Sequence, residues 1–290
     1  MKKNQTTQLL PFDDAALKQE LLNTAEEAVL KAGRIQRQHF GDGTPPEIIL
    51  PKDLKMAVDR ECEKAIVEVI RSRFPRHRIL AEEGGNLGGD GDYLWIIDPL
   101  DGTVNFFHGL PQFCACVACC RLPDHKSLPV TGTALVDCTL VGAIYAPLLE
   151  ELYVGITNGA ATCNNKPIAS SSYKNLSKLI MALSFGKTDQ GIDHMADLAR
   201  MLARRAGKLR SFGSAGLDIA QVANGRLGGV LYRGIHIWDI AAAGIILKEA
   251  GGVISAAVQS NGTWNLLAAA PGVYQELVDI ISTRPEVLLK

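Results

Sequence analysis

The stretch WIIDPLDGTVNFFHG, Trp95 to Gly109, constrains this chain more than any other. An apolar run meets two aspartates three residues apart, with Gly-Thr directly behind them. Such a run reads as a buried strand. Pro99 has no N–H to give to a ladder, so the strand is expected to end there. Carboxylates at the buried end of a strand are costly without a positive partner. Hard divalent cations such as Mg²⁺ take oxygen ligands: carboxylates, backbone carbonyls and water. Asp98 and Asp101 flank the Leu100 carbonyl and supply such a set. Gly102-Thr103 would open a short helix whose unpaired N–H groups suit an anion. Metal and phosphate sites would then adjoin, as phosphoryl transfer requires. Taken alone, Asp98 also reads as a turn residue and Asp101 as a helix N-cap.

Other acids stand at element ends. Glu82 and Glu83 close the strand of FPRHRILAEE, and Trp238-Asp239 opens IWDIAAAGIILKEAGG, an apolar helix stopped by Gly251-Gly252. Each has an ordinary local explanation, but together they suggest convergence on a cation. Apolar residues at three- and four-residue steps predict helices over 15–40 and about 58–74, and further helices around 191–206 and 214–224. Strands are expected at YLWII, FCACVACC, TLVGAIYAP, ELYVGIT and GGVLYRG. GGNLGGDGD is read as a mobile surface connection. It is not a dinucleotide fingerprint, because a strand rather than a helix follows. LPDHKSLPVTGTALVD reads as an insertion in a hairpin, and NGAATCNNKPIASSS as a linker. The mixture predicts layered sheets covered by helices, without strict β-α-β alternation.

The formal net charge of the 290 residues is −1, with no polybasic run, so nucleic-acid and anionic-membrane binding have no electrostatic support. No apolar run is long enough for a signal peptide or a membrane span, and a cytoplasmic setting is expected. Four of the seven cysteines lie in FCACVACC: Cys114, Cys116, Cys119 and Cys120. Cys116 and Cys119 form a C-x-x-C, a redox or zinc pair in principle. No second pair follows at zinc spacing, and an apolar strand with buried reduced thiols fits better.

D98-P-L-D-G-T-V-N-F106 resembles the first signature of the inositol monophosphatase family, and W238-D-I-A-A-A-G-I-I-L-K-E-A-G-G252 its second. The segment 81–83, D53-L-K-M-A-V-D59 and the opening helix fall in the expected order, and the resemblance spans about 15 to 270. It implies a layered α-β-α-β-α sandwich of two subdomains. Residues 1–155 would carry most metal ligands, and 156–290 would carry Asp239 and the substrate pocket. It also implies Mg²⁺-dependent hydrolysis of small phosphate monoesters, with sensitivity to lithium. By position, Glu82, Asp98 and the Leu100 carbonyl would hold one ion, and Asp98, Asp101 and Asp239 a second. Glu82 would help a weaker third through water. Gly102 and Thr103 N–H groups would receive the phosphate. The Thr103 hydroxyl, paired with Asp59, would activate the attacking water. Glu83 would be supportive only. His108 and His236 are read as structural or solvent-facing, since hard Mg²⁺ prefers oxygen.

Two departures bear on chemistry. Lys55-Met56 stands where the family usually has Val-Thr, which affects the third-ion environment and brings Lys55 into view as a phosphate contact. Tyr232 stands where inositol-phosphate members usually have Glu, followed by Arg233; these would suit a second phosphate, a nucleotide or a flat ring. Gly213, Ser214 and Ala215 match the stretch lining the substrate pocket. Inositol 1-phosphate is the default substrate. Alternatives are 3′(2′),5′-bisphosphate nucleotides, fructose 1,6-bisphosphate and histidinol phosphate. A partner-binding regulatory protein on the same fold is a reading of another class. A homodimer is implied by the resemblance.

Overall fold

The computed structural model describes residues 14–43, 45–50, 53–122, 128–129 and 131–283. Its helices are α1 (Ala15–His39), α2 (Ala57–Arg73), α3 (Thr103–Phe107), α4 (Gly132–Cys138), α5 (Asp189–Ala203), α6 (Ala215–Ala223), α7 (Ile237–Glu249) and α8 (Pro271–Ser282). A hairpin of β1 (Ile48–Leu50) and β2 (Asp53–Lys55) precedes α2.

The first sheet has eight strands: β3 (Arg78–Ala81), β4 (Gly85–Asn86), β5 (Tyr93–Asp101), β6 (Cys114–Arg121), β7 (Thr139–Ala146), β8 (Glu151–Ile156), β9 (Ala161–Cys163) and β10 (Lys166–Pro167). Their order is β10-β9-β8-β7-β6-β5-β3-β4. Only the β3–β5 pair is parallel. The second sheet contains β11 (Ile180–Leu183), β12 (Lys208–Arg210), β13 (Gly229–Ile235), β14 (Val253–Val258) and β15 (Trp264–Ala269), in the order β12-β11-β13-β15-β14.

Apolar faces set the layering. Leu21, Ala25, Ala28 and Ala32 of α1 join Ile66 and Ile70 of α2 and press on Ile97, Val117 and Val141 of the first sheet. Its other face, with Ile96, Ala118 and Ile144, meets Leu217 and Ile219 of α6 and Ile240 and Ile246 of α7. Val230 and Leu266 of the second sheet close the same core. Met195 and Leu198 of α5 and Leu277 of α8 cover the second sheet from outside, on Met181, Leu231 and Leu267. The result is the α-β-α-β-α sandwich. Small residues let the central helix come close: a Cβ on Gly142 would lie 2.7 Å from the Ala242 carbonyl.

Several expectations change. The 158–172 linker is in part a hairpin, β9–β10, at the first sheet's edge. A division at 155/156 would separate it from the sheet it joins. The insertion between β6 and β7 carries α4, capped by the Thr131 hydroxyl on Ala134 N at 3.3 Å. The glycine-dense loop opens with β4, which pairs with β3. The strand expected at YLWII continues through Pro99 to Asp101, with a register shift between Asp98 and Asp101 that removes the need for a Pro99 N–H. Cys116 and Cys119 point to opposite faces of β6, one toward α6 and α7, the other toward α1 and α2. They form no chelating pair, and all described cysteines are free thiols.

Candidate active site

The carboxylates gather at the end of β5. Asp98 is buried on the strand, and its Oδ1 accepts the Leu100 N–H at 3.0 Å. The turn reading of Asp98 therefore survives locally, on a residue that still belongs to the strand. Gln36 of α1 donates to the Pro99 carbonyl at 2.8 Å and fixes the peptide between them. Asp101 is not the N-cap of α3. That position is Gly102, at φ 94° and ψ 34°, where a Cβ would lie 2.8 Å from the Gln112 carbonyl oxygen. Asp101 reaches across to the second half instead. It accepts from the Ser214 hydroxyl at 2.6 Å, Gly216 N at 2.8 Å and Ala215 N at 3.2 Å, so the amino end of α6 holds it.

Asp239 sits in the first turn of α7 and accepts from His236 N at 2.6 Å. Glu82 follows β3, its N–H on the Ile97 carbonyl at 3.2 Å. Oxygens of Asp98, Asp101 and Asp239 lie within 4.8 Å of one another, and Glu82 borders the same cleft, close enough for its charge to act on Asp98. Four acids from three separate stretches of the sequence thus meet.

Their crowding has an electrostatic signature. Burial, then the charge of Asp239, pushes Glu82 up to about 8. Burial and the charge of Asp101 raise Asp239 to about 7, offset in part by the His236 N–H, Asp98 and Lys187. Asp98 stands well above the usual carboxylate range through burial and the charges of Glu82, Asp101 and Asp239. Buried acids that raise one another's proton affinity are poised to exchange protons for a cation. The donor set is all oxygen, including the Leu100 carbonyl, and this fits a hard divalent ion. Cys114 and Cys116 also lie beside Asp101. Burial raises the Cys114 thiol, and the hydrogen bond it shares with Cys116, followed by burial, raises Cys116, so neither is a ready thiolate in the metal-free chain.

Thr103 stands next to this cluster. Its hydroxyl lies 2.9 Å from the Leu100 carbonyl and 3.3 Å from Asp59 Oδ1. Asp59 Oδ2 accepts Met56 N at 2.7 Å, which fixes the carboxylate in the first turn of α2. Burial pushes Asp59 up to about 7 against the pull of that bond. Lys55, a candidate phosphate contact in the sequence, is engaged by Glu83 in the structure. Its ammonium pairs with both Glu83 oxygens at 2.8 Å.

A cleft of about 290 Å³ opens beside the acids, and Glu82, Asp98, Asp101 and Asp239 border it with Gly102 and Thr103. Gly213, Ala215, Tyr232 and Arg233 line it as well. Ser214 does not: it is fully buried behind Asp101. The Tyr232 hydroxyl is turned to Asp218 at 2.6 Å. The Arg233 guanidinium lies 3.0 Å from His194 Nδ1 on α5. His236 borders the cleft, stacked on Trp238 with ring centroids 4.7 Å apart, whereas His108 is exposed beside Phe107.

Sequence reasoning missed several contributors. Lys187, from the loop after β11, lines the cleft, and its only sequence signal is a basic residue behind Gly186. Asn105 donates to the Gln112 and Phe212 carbonyls at 2.7 and 2.6 Å, tying α3 to the Gly213 loop. Glu63 accepts Glu83 N at 2.9 Å and Gly84 N at 3.2 Å and braces the acidic turn from behind. None of these partners is visible from spacing alone.

Comparison with known proteins agrees with this arrangement. The model of the inositol monophosphatase family matches residues 17–287. An inositol-1-monophosphatase of Synechocystis is 35% identical over 277 residues, 92% of this chain and 91% of that protein. The Nus factor SuhB of Pasteurella multocida is 32% identical, over 90% of this chain and 95% of that one. Among solved structures, the extragenic suppressor protein suhB of Bartonella henselae superposes with a TM-score of 0.80 at 26% identity, covering 91% of this chain and 99% of its own.

Proposed function

The chain belongs to the inositol monophosphatase family of phosphoric monoester hydrolases, and we propose from that premise that it hydrolyses a small phosphate monoester with Mg²⁺. Inositol 1-phosphate is the first candidate. The observation that carries this reading is the meeting of Glu82, Asp98, Asp101 and Asp239 beside Thr103 and Asp59.

In this reading Glu82, Asp98, Asp101, Asp239 and the Leu100 carbonyl hold two ions, with room for a third left open. Bound there, Mg²⁺ supplies charge that polarises the attacking water and neutralises the leaving oxygen. The N–H groups of Gly102 and Thr103 receive the phosphate. The Thr103 hydroxyl orients the water, and Asp59 takes its proton. A carboxylate raised to about 7 is matched to that task near neutral pH. In-line attack needs no Ser, Cys or His nucleophile. The N-terminal half contributes most of the carboxylates. The C-terminal half contributes Asp239, Gly213, Ala215, Tyr232 and Arg233, while Ser214 acts through Asp101.

Arg233 and Lys187 in the cleft lining favour a second anionic group on the substrate, as in fructose 1,6-bisphosphate or a bisphosphate nucleotide. Histidinol phosphate is the further alternative. Partner binding, suggested by relatives named as Nus factors, belongs to another class and is compatible with catalysis. No helix among the described residues is long and apolar enough to cross a membrane. A cytoplasmic homodimer with lithium sensitivity completes the reading.

The test is a turnover panel of those four substrates, with Mg²⁺ and with EDTA. We expect one ester to be hydrolysed with Mg²⁺ and none with EDTA. No phosphate release from any ester would favour the partner-binding reading.

A further inference from the structure

Glu83 stands apart from its neighbour Glu82, which borders the cleft, because a cation of the chain itself already occupies it. The Lys55 ammonium lies 2.8 Å from both of its carboxylate oxygens, and the Glu83 side chain is only 10% exposed. Both partners are held in place. Glu63 braces the Glu83 and Gly84 backbone. The Lys55 carbonyl accepts Glu47 N at 2.8 Å, which fixes β2 against the start of β1. The ammonium is also felt beyond its partner. Burial works against its charge, but the bond to Glu83 and the charges of Glu83, Glu82 and Asp59 outweigh burial and hold it protonated.

Resting on the metal-dependent reading above, we propose that Lys55 is a tethered counter-cation: it fills the Glu83 flank of the acid cluster and keeps a further divalent ion off it. An ion bridging Glu82 and Glu83 would have to displace the ammonium or share its carboxylate against a like charge. Lysine suits the role as a compact point charge on a flexible stem, with three donors, two of which Glu83 uses. A free ion at this flank would leave and return with its concentration, but a covalently attached one is always present. The Glu83 flank thereby carries a fixed positive charge set by the sequence.

The experiment counts ions in the metal-free full-length chain by titration with Mn²⁺, following free Mn²⁺ by electron paramagnetic resonance. Lys55→Met and Lys55→Gln each remove the charge from a partly exposed strand position. Both are expected to bind one Mn²⁺ more per chain than the wild type, whereas Lys55→Arg is expected to match the wild type. Circular dichroism confirms folding of each variant. An unchanged count in both neutral variants, or a gain in the arginine variant, overturns the counter-cation while leaving the enzymatic reading in place. A wild type that binds no Mn²⁺ overturns the enzymatic reading and this inference with it.

Discussion

On the acidic side of the cleft, backbone N–H groups hold four carboxylates, and the Ser214 hydroxyl adds to the grip on Asp101. Asp98 is held by Leu100 N, Asp101 by Ala215 N and Gly216 N, Asp239 by His236 N and Asp59 by Met56 N. Two residues on the other side are held by side chains: Tyr232 leans on Asp218, and Arg233 meets His194. Side-chain supports change with one substitution, but backbone supports change only with the fold. On the proposed reading the acids set the reaction, and Tyr232, Arg233 and Lys187 set which ester is accepted.

The strongest way to break this contrast is Asp98→Asn. The bond to Leu100 N survives in an amide, but an anionic ligand is lost, and turnover is expected to fall about a thousandfold or more. The same variant should unfold at a higher temperature than the wild type in EDTA at alkaline pH, where the wild-type Asp98 must ionise beside Glu82, Asp101 and Asp239. Retained turnover would refute the division of roles, and a lower melting temperature would refute the account of crowding.

A second test uses pH. Unfolded carboxyls lose their protons near about 4, whereas Asp59 and Asp239 are pushed up to about 7 and Glu82 to about 8 in the folded chain. Between those limits the folded state holds more protons than the unfolded one. Stability in EDTA should therefore fall as pH rises from about 4 to about 8. Mg²⁺, which prefers the ionised acids, should flatten the fall. Denaturant midpoints across this range, with and without the ion, decide the matter.

Thr103→Ala comes next. It removes the hydroxyl between Leu100 and Asp59, and kcat is expected to drop about a hundredfold, with Thr103→Ser retaining most activity. The smallest effect tests the other lining. Arg233→Ala should raise KM about tenfold for a bisphosphate ester and leave kcat nearly unchanged. An equal change for monophosphate and bisphosphate would deny Arg233 any part in selectivity.

What the sequence made legible follows the same line. Asp98, Asp101 and Asp239 sit at the ends of strongly patterned elements, so the periodicity that located β5 and α7 also located them. The two-residue steps of β9 and β10, in a stretch rich in Asn and Ser, were too short to outweigh its linker composition. The second sheet was seen mainly through β13, because β11 and β12 are short and β14 and β15 lack clear alternation. The neighbours of Ser214 suggest a substrate contact, yet its hydroxyl faces inward to Asp101. Spacing tells which residues share a loop, but it does not tell which of them turns its side chain to solvent.

The bonds from Ser214, Ala215 and Gly216 to Asp101 make a latch between the two halves of the molecule. A carboxylate so engaged cannot slide with one sheet while its donors travel with the other. Any opening of the seam would move this oxygen pair away from Asp98 and Asp239 and loosen the grip on an ion. Substitutions far from the cleft that weaken the packing of α6 should then announce themselves as lost metal affinity before they register as unfolding.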